Sequence, residues 1–382
     1  MVSQRAREVT PFIAMDVLER ANEMEDVVHL EVGEPDFSPP DAVTETAVES
    51  LRGGNTGYTA ARGKPEIRRA IAARYDREYG VDVDPDRIVV TPGSSPGLLL
   101  AMAALVDPGE AVVLTDPHYA CYPNFVRTVG GRVETVPLRA AGGFRPQLAD
   151  FEAAIDDGTR ALLLNSPANP TGAVMDGDTL ESLVALAAAD DATVVADEVY
   201  HGLSYGVEEH TVLEYTDDAF VLDGFSKRFA MTGWRLGWMV VPSGYVDAVN
   251  RLAQNTLICA PNFVQDAGVA ALETPPGRLD EIRGTYRERR DLLVDAVEDW
   301  GLGLGYTPGG AYYLLADVSD LPGDALEVAD LLLSDAGVVV TPGVDFGERA
   351  ADYLRFSYAT DLASIEEAIR RIGRLLETVE RV

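Results

Sequence analysis

The stretch AFVLDGFSKRFAMTGWRLGWMVVP at 219–242 places two apolar runs on either side of a loop built from Ser, Lys, Gly, Thr and Arg. AFVLDG (219–224) and LGWMVVP (236–242) each read as short buried strands bounded by Gly or Pro. Lys227 follows the first of them closely, and Arg235 comes eight residues later. A lysine held against a strand end, among groups that disfavour its charge, can serve as an amine nucleophile rather than a solvated cation.

Working outward, the same pattern recurs. RIVVT (87–91), AVVLTD (111–116), RVETVPL (132–138), RALLLNS (160–166) and ATVVAD (192–197) alternate with Ala/Leu-rich stretches such as SPGLLLAMAALV and DTLESLVALAAAD. Alternation of this kind predicts an α/β fold with a mostly parallel seven-stranded sheet covered by helices on both faces. After PPG at 275–277 the order changes to a long charged helix, the strand AYYLLADV, the helical ALEVADLLLSDAG, the strands VVVTP and YLRFSYA, and a closing helix. That is α+β character. The expected division is a large domain over 45–275 and a smaller one from 1–44 and 276–382.

The chain has 382 residues, 63 of them acidic and 31 basic, for a net charge of −32. The acids are spread over helical faces, which argues against nucleic acid and anionic membrane as partners, since both require cationic surface. A dispersed anionic shell fits a high-salt cytoplasm, where screening relieves self-repulsion; an acidic mesophilic surface is the alternative. Cys121 and Cys259 have no framework or metal spacing and read as buried structural thiols. His29, His118, His201 and His210 likewise lack metal spacing and read as structural or surface residues. The N-terminal MVSQRAREVT has no apolar core segment, so no signal peptide is expected, and no run is long enough to span a bilayer. A cytoplasmic protein is the expectation.

Polar groups gather at the predicted strand ends, where α/β folds place ligands. RIVVT runs into TPGSSPG and then a helix, either a phosphate cradle at a helix N-terminus or an ordinary turn. RALLLNS ends in NSPANPTG, in which Asn169 precedes a proline and is held extended. ATVVAD ends at Asp197, costly to bury without a cationic partner unless it caps the junction, with Tyr200 three residues on. Tyr119 directly follows another strand end, within the aromatic run HYACYPNF that otherwise reads as core. Arg355 lies inside the strand YLRFSYA, as a salt bridge or as a carboxylate clamp.

Together and in this order, EVGEPDF (31–37), YTAARGKPEIRRAI (58–71), TPGSSPG, DPHYACYP, NSPANPTG, DEVY, GFSKRFAMTGWRLGW and LRFSYAT resemble the class I/II aminotransferases, pyridoxal-phosphate enzymes of fold type I. The resemblance implies an internal aldimine on Lys227, with Asp197 paired to the cofactor's ring nitrogen and Asn169 and Tyr200 to its phenolate oxygen. It implies Tyr119 stacked on the ring and Ser94, Ser95, Ser226 and Arg235 around the phosphate, with Tyr58 reaching in from the partner of a homodimer. Arg355 would clamp the substrate α-carboxylate, with Gly33 nearby. The implied reaction moves an amino group from an α-amino acid to a 2-oxo acid by ping-pong kinetics through pyridoxamine phosphate. A β-lyase or other amino-acid lyase on the same core is the alternative, and a DNA-binding regulator is disfavoured by the anionic charge. Two positions depart from the family pattern. Gly224 stands where Ser or Thr often helps bind phosphate, and Ser95 where aspartate-using relatives carry a lysine. The second departure points to a neutral or aromatic donor side chain as much as to aspartate.

Overall fold

The computed structural model describes residues 2–379, apart from the side chain of Gln4. The seven expected strands form one sheet: β1 (Ile88–Thr91), β2 (Ala111–Asp116), β3 (Arg132–Pro137), β4 (Thr159–Asn165), β5 (Thr193–Asp197), β6 (Phe220–Gly224) and β7 (Gly237–Val240). Their spatial order is β1-β7-β6-β5-β4-β2-β3. β7 alone runs antiparallel to its neighbours, β1 and β6, while the others pair in parallel.

Successive residues of a strand face opposite sides of the sheet, which makes two separate cores. Ile88 and Val90 pack with Ile67, Ile71 and Tyr75 of helix Pro65–Tyr79 and with helices Gly177–Ala189 and Asn262–Leu272. Val89, Val112 and Leu114 pack with helices Ser94–Leu105, Tyr122–Val129 and Val246–Thr256 on the other face. Burial on both faces explains why these strands read as continuous apolar runs.

The C-terminal part forms an antiparallel sheet of β8 (Tyr313–Asp317), β9 (Thr341–Pro342) and β10 (Tyr353–Ser357), ordered β9-β10-β8. It packs with helices Pro276–Asp299 and Leu362–Leu376 around a third core. The N-terminal segment joins it where Val28–His29 pairs with Val338–Val339. VVVTP is therefore two short strands rather than one, because Val338–Val339 pairs with the N-terminal segment while Thr341–Pro342 pairs with β10. ALEVADLLLSDAG starts as an α-helix at Ala325 and loosens into a π-helical turn at Leu332–Ala336, ending at Gly337 in the left-handed region. Cys121 and Cys259 are half-buried rather than buried. Cys121 sits at the N-cap of Tyr122–Val129, and Cys259 follows helix Val246–Thr256 and accepts a bond from the Thr59 amide. Among the described residues no helix is long and apolar enough to cross a membrane.

Candidate active site

The parallel strands end along one edge of the large sheet, and a cavity of about 300 Å³ lies against it. Gly33, Ser94, Ser95, Tyr119, Asn169, Asp197, Tyr200, Ser226, Lys227, Arg235 and Arg355 all line it. Tyr58 does not; its side chain stands 84 % exposed.

Lys227 donates from Nζ to the Gly33 carbonyl at 2.7 Å, and the rings of Tyr200 and Tyr312 each lie 5.7 Å from that nitrogen. The same carbonyl accepts the Tyr312 hydroxyl at 2.9 Å. Gly33 thus meets the lysine through its backbone, while Arg355 bonds the carbonyl of Glu31 instead. A side chain at 33 would require the Tyr313 ring to move, since its hydroxyl stands 1.5 Å from where a Cβ would be.

Asp197 closes β5 in register with Asn165 on β4. Its Oδ2 accepts the Tyr122 hydroxyl at 2.7 Å and its Oδ1 the Val199 amide at 3.2 Å. Among the described residues no cation forms an ion pair with it. Burial pushes its carboxyl up to about 6; these two hydrogen bonds and the charge of Lys227 act against the rise, and Asp223 adds to it. The Asn165 amide ties the neighbouring loop, donating to the Asp197 carbonyl and accepting the Asn169 N–H, both at 2.8 Å.

Arg355 is buried on β10. Its Nη1 donates to Asn169 Oδ1 at 3.0 Å, and its Nη2 to the Glu31 carbonyl and to Thr341 Oγ1. The guanidinium packs on the rings of Tyr313 and Phe346, 4.4 and 4.6 Å from their centroids. Among the described residues it has no carboxylate partner, and its Nε has no partner of any kind. A salt bridge is therefore not what keeps this charge inside.

Ser94 and Ser95 open the helix Ser94–Leu105, whose N-cap is Gly93 at φ 94°, and no side chain caps that end. Its first amides are therefore free to meet an anion. Arg235 leaves a short turn at φ 54° with Nη1 bonded to the Thr232 carbonyl at 2.9 Å. Its Nη2 lies 2.5 Å from the place a Gly93 Cβ would take. Gly224 is outside the cavity, paired with Gly237 in the β6–β7 ladder. A Cβ there would stand 3.3 Å from the Leu236 carbonyl, so the tight strand pairing accounts for the missing hydroxyl.

The family model of aminotransferase class I and II matches residues 25–372. The chain belongs to that family. It is 40 % identical over 377 residues to the valine–pyruvate aminotransferase of Mycobacterium tuberculosis, covering 96 % of this chain and 97 % of that one. The (5-formylfuran-3-yl)methyl phosphate transaminase of Methanocaldococcus jannaschii is 35 % identical, covering 98 % and 100 %. Aspartate aminotransferase from Thermus thermophilus, solved with maleate, superposes with a TM-score of 0.94 at 36 % identity, covering 98 % and 99 %. This aminotransferase depends on pyridoxal phosphate, and of the reactions its residues left open it carries out amino-acid transamination. The residues fit the cofactor. An uncapped helix end beside Arg235 suits a phosphate, a buried acid without a cation suits a protonated ring nitrogen, and an amine stands in the same cavity.

Several groups escaped the sequence. Tyr122 sits in an aromatic run that reads as core, yet it bonds Asp197. Tyr312, Tyr313 and Thr341 surround Lys227 and Arg355 from segments distant in the chain, and no local motif marks them; Glu31 lies in EVGEPDF, but its carbonyl's bond to Arg355 had no signal there.

Proposed function

We propose that Lys227 is the amine that binds the cofactor and carries the proton, and that the donor is an α-amino acid with an apolar side chain. The observation that supports this most is a pair of buried groups of opposite charge, Asp197 and Arg355, neither with an ion-pair partner among the described residues and both facing the cavity that holds Lys227. Bound pyridoxal phosphate supplies an aldehyde that amines condense with and a ring that accepts electrons. Arg355 holds the donor's α-carboxylate by its planar fork, which fixes the Cα–H bond relative to Lys227. Lys227 Nζ would take the donor's Cα proton and give it back in the half-reaction with the acceptor. Asp197 would keep the ring nitrogen protonated, and the hydroxyl of Tyr200 and the amide of Asn169 would donate to the ring oxygen. The free amides at Ser94 and Ser95, with Ser226 and Arg235, would hold the phosphate, with Tyr119 as the aromatic neighbour of the ring.

The cations lining the cavity are Lys227, Arg235 and Arg355, and these roles occupy all three. Among the described residues of the chain none remains for a distal carboxylate, whereas Phe12, Ala14, Met15 and Val32 supply apolar wall. This favours a donor of the valine type with pyruvate as acceptor, the pair named for the Mycobacterium tuberculosis relative, over aspartate with 2-oxoglutarate. A donor screen with pyruvate and 2-oxoglutarate tests it. Branched or aromatic donors with pyruvate should turn over fastest, and a preference for aspartate would overturn the assignment. Lys227→Ala should lose turnover altogether.

The exposed Tyr58 supports a homodimer in which it completes the partner's phosphate site, and the charge of −32 supports a cytoplasmic enzyme adapted to high salt. Light scattering showing a monomer, or stability indifferent to molar KCl, would remove these two readings. A division at 275 is supported by a C-terminal core apart from the two on the large sheet, although Val199, Tyr200, Leu203 and Tyr205 join it, whereas 45 falls inside helix Asp41–Arg52, whose Val43 and Ala47 both pack on the large sheet.

A further inference from the structure

Three carboxylates are buried together where β5 and β6 end: Asp197, Glu198 and Asp223, each no more than 4 % exposed. Only Asp197 lines the active-site cavity. Asp197 is in register with Leu222 on β6, so Asp223, one residue on, projects from the opposite face of the sheet. On that face stands Arg74 of helix Pro65–Tyr79, itself 1 % exposed. Its Nη1 bonds Asp223 Oδ2, and its Nε bonds Glu78 Oε2 at 3.0 Å. Glu78 in turn accepts both arms of Arg228, the residue after Lys227, at 2.6 and 2.9 Å. The guanidinium of Arg74 packs over the Trp238 ring at 5.3 Å.

Among the described residues Arg74 is the sole permanently charged group ion-paired to any of the three acids; His201 lies 3.5 Å from Glu198. Glu198 is otherwise held by the Thr211 hydroxyl and the Val212 amide. Charges this deep are poorly screened, so an ionised Asp223 acts on its neighbours through the sheet.

We propose that Arg74, which touches neither substrate nor cofactor, is a positioning residue of the reaction: by neutralising Asp223 behind the sheet it keeps Asp197 able to hold a negative charge. The charged and titratable groups acting on Asp197 are Tyr122, Lys227 and, from behind the sheet, Asp223, which itself faces Arg74, His201 and Glu198. Of these, Asp223 is the one whose charge another residue cancels directly. Without Arg74, Asp223 would stay ionised behind the sheet and drive Asp197 to take up a proton.

The inference rests on the role given to Asp197, but its test does not. Carboxyl carbon NMR of the apoenzyme, with the Asp197 signal assigned by Asp197→Asn, reads the Asp197 titration whether or not that carboxylate meets a ring nitrogen. Asp223→Asn, with Arg74 kept, removes the anion and should lower the Asp197 midpoint by roughly one pH unit. Arg74→Met should raise it by a similar amount, and Arg74→Met with Asp223→Asn should bring it back. Arg74→Lys keeps the charge and should leave it near the wild-type value. If Arg74→Met does not fold, Asp223→Asn and the double variant decide. A midpoint unmoved in Asp223→Asn, or a double variant that differs from wild type by a full unit, overturns the proposal.

Discussion

At the end of the large sheet, Asp197 is held by a tyrosine hydroxyl and a backbone amide. In the C-terminal sheet, Arg355 is held by an amide oxygen, a carbonyl, a hydroxyl and two aromatic rings. Among the described residues neither buried group has a counter-ion, yet they differ in what they can do about it. A carboxyl can take up a proton, and burial already moves its titration upward to about 6. A guanidinium cannot lose its proton within the range proteins tolerate. The acid end of the cavity is therefore adjustable and the arginine end is fixed. The roles proposed for the two groups, an acid that meets a ring nitrogen and an arginine that holds an α-carboxylate, would use that division.

The comparison can be broken most forcefully at Asp197. Folded, the carboxyl keeps its proton up to about pH 6, whereas its ordinary value is 3.8. Between those values the folded apoenzyme binds more protons than the unfolded chain, so this group's contribution to stability falls as pH rises through the window. Asp197→Asn lacks that loss. From below pH 4 to above pH 6 the wild-type apoenzyme should lose about 3 kcal/mol relative to the variant in urea titrations. A flat difference would mean that a cation already serves Asp197.

The fixed end is tested by Arg355→Lys, which retains charge and removes the fork. A lost charge-assisted bond costs about 2 kcal/mol, so kcat/KM should drop roughly 30-fold. The drop should be similar for donor and acceptor, because both present the same carboxylate. A loss confined to one substrate would show that Arg355 reads something other than the shared group. The smallest effect belongs to the pairing of β6 with β7 inside the large sheet. Gly224→Ser places a Cβ 3.3 Å from the Leu236 carbonyl, and the strain should lower stability by about 1 kcal/mol in thermal melts. Tighter binding of the cofactor in that variant would show that a hydroxyl can reach the phosphate from this position.

The large sheet was legible because buried parallel strands need apolar runs on both faces, and these alternate with helical stretches along the sequence. Lys227, Asp197, Asn169 and Arg235 were legible because each follows or precedes a strand end. Arg355 was legible as a misplaced charge, but its two readings separate only once the absence of a carboxylate neighbour is seen. Arg74 and Asp223 were not legible. In PEIRRAIAARYDREY the arginine looks like any other polar residue of an amphipathic helix, and Asp223 sits 149 positions away. Only the order of strands brings them together. Tyr58 had its place in the sequence pattern, yet in a single chain it lies outside the cavity.

β7 runs against its neighbours, and that reversal determines where Arg235 arrives. The arginine precedes its strand instead of following one, so only an antiparallel entry delivers it to the edge where β1, β5 and β6 end. Were β7 turned round, Arg235 would stand at the far edge, about 13 Å away for a strand of four residues. The direction of one short strand thus decides whether the large sheet presents an arginine beside the helix that begins at Ser94.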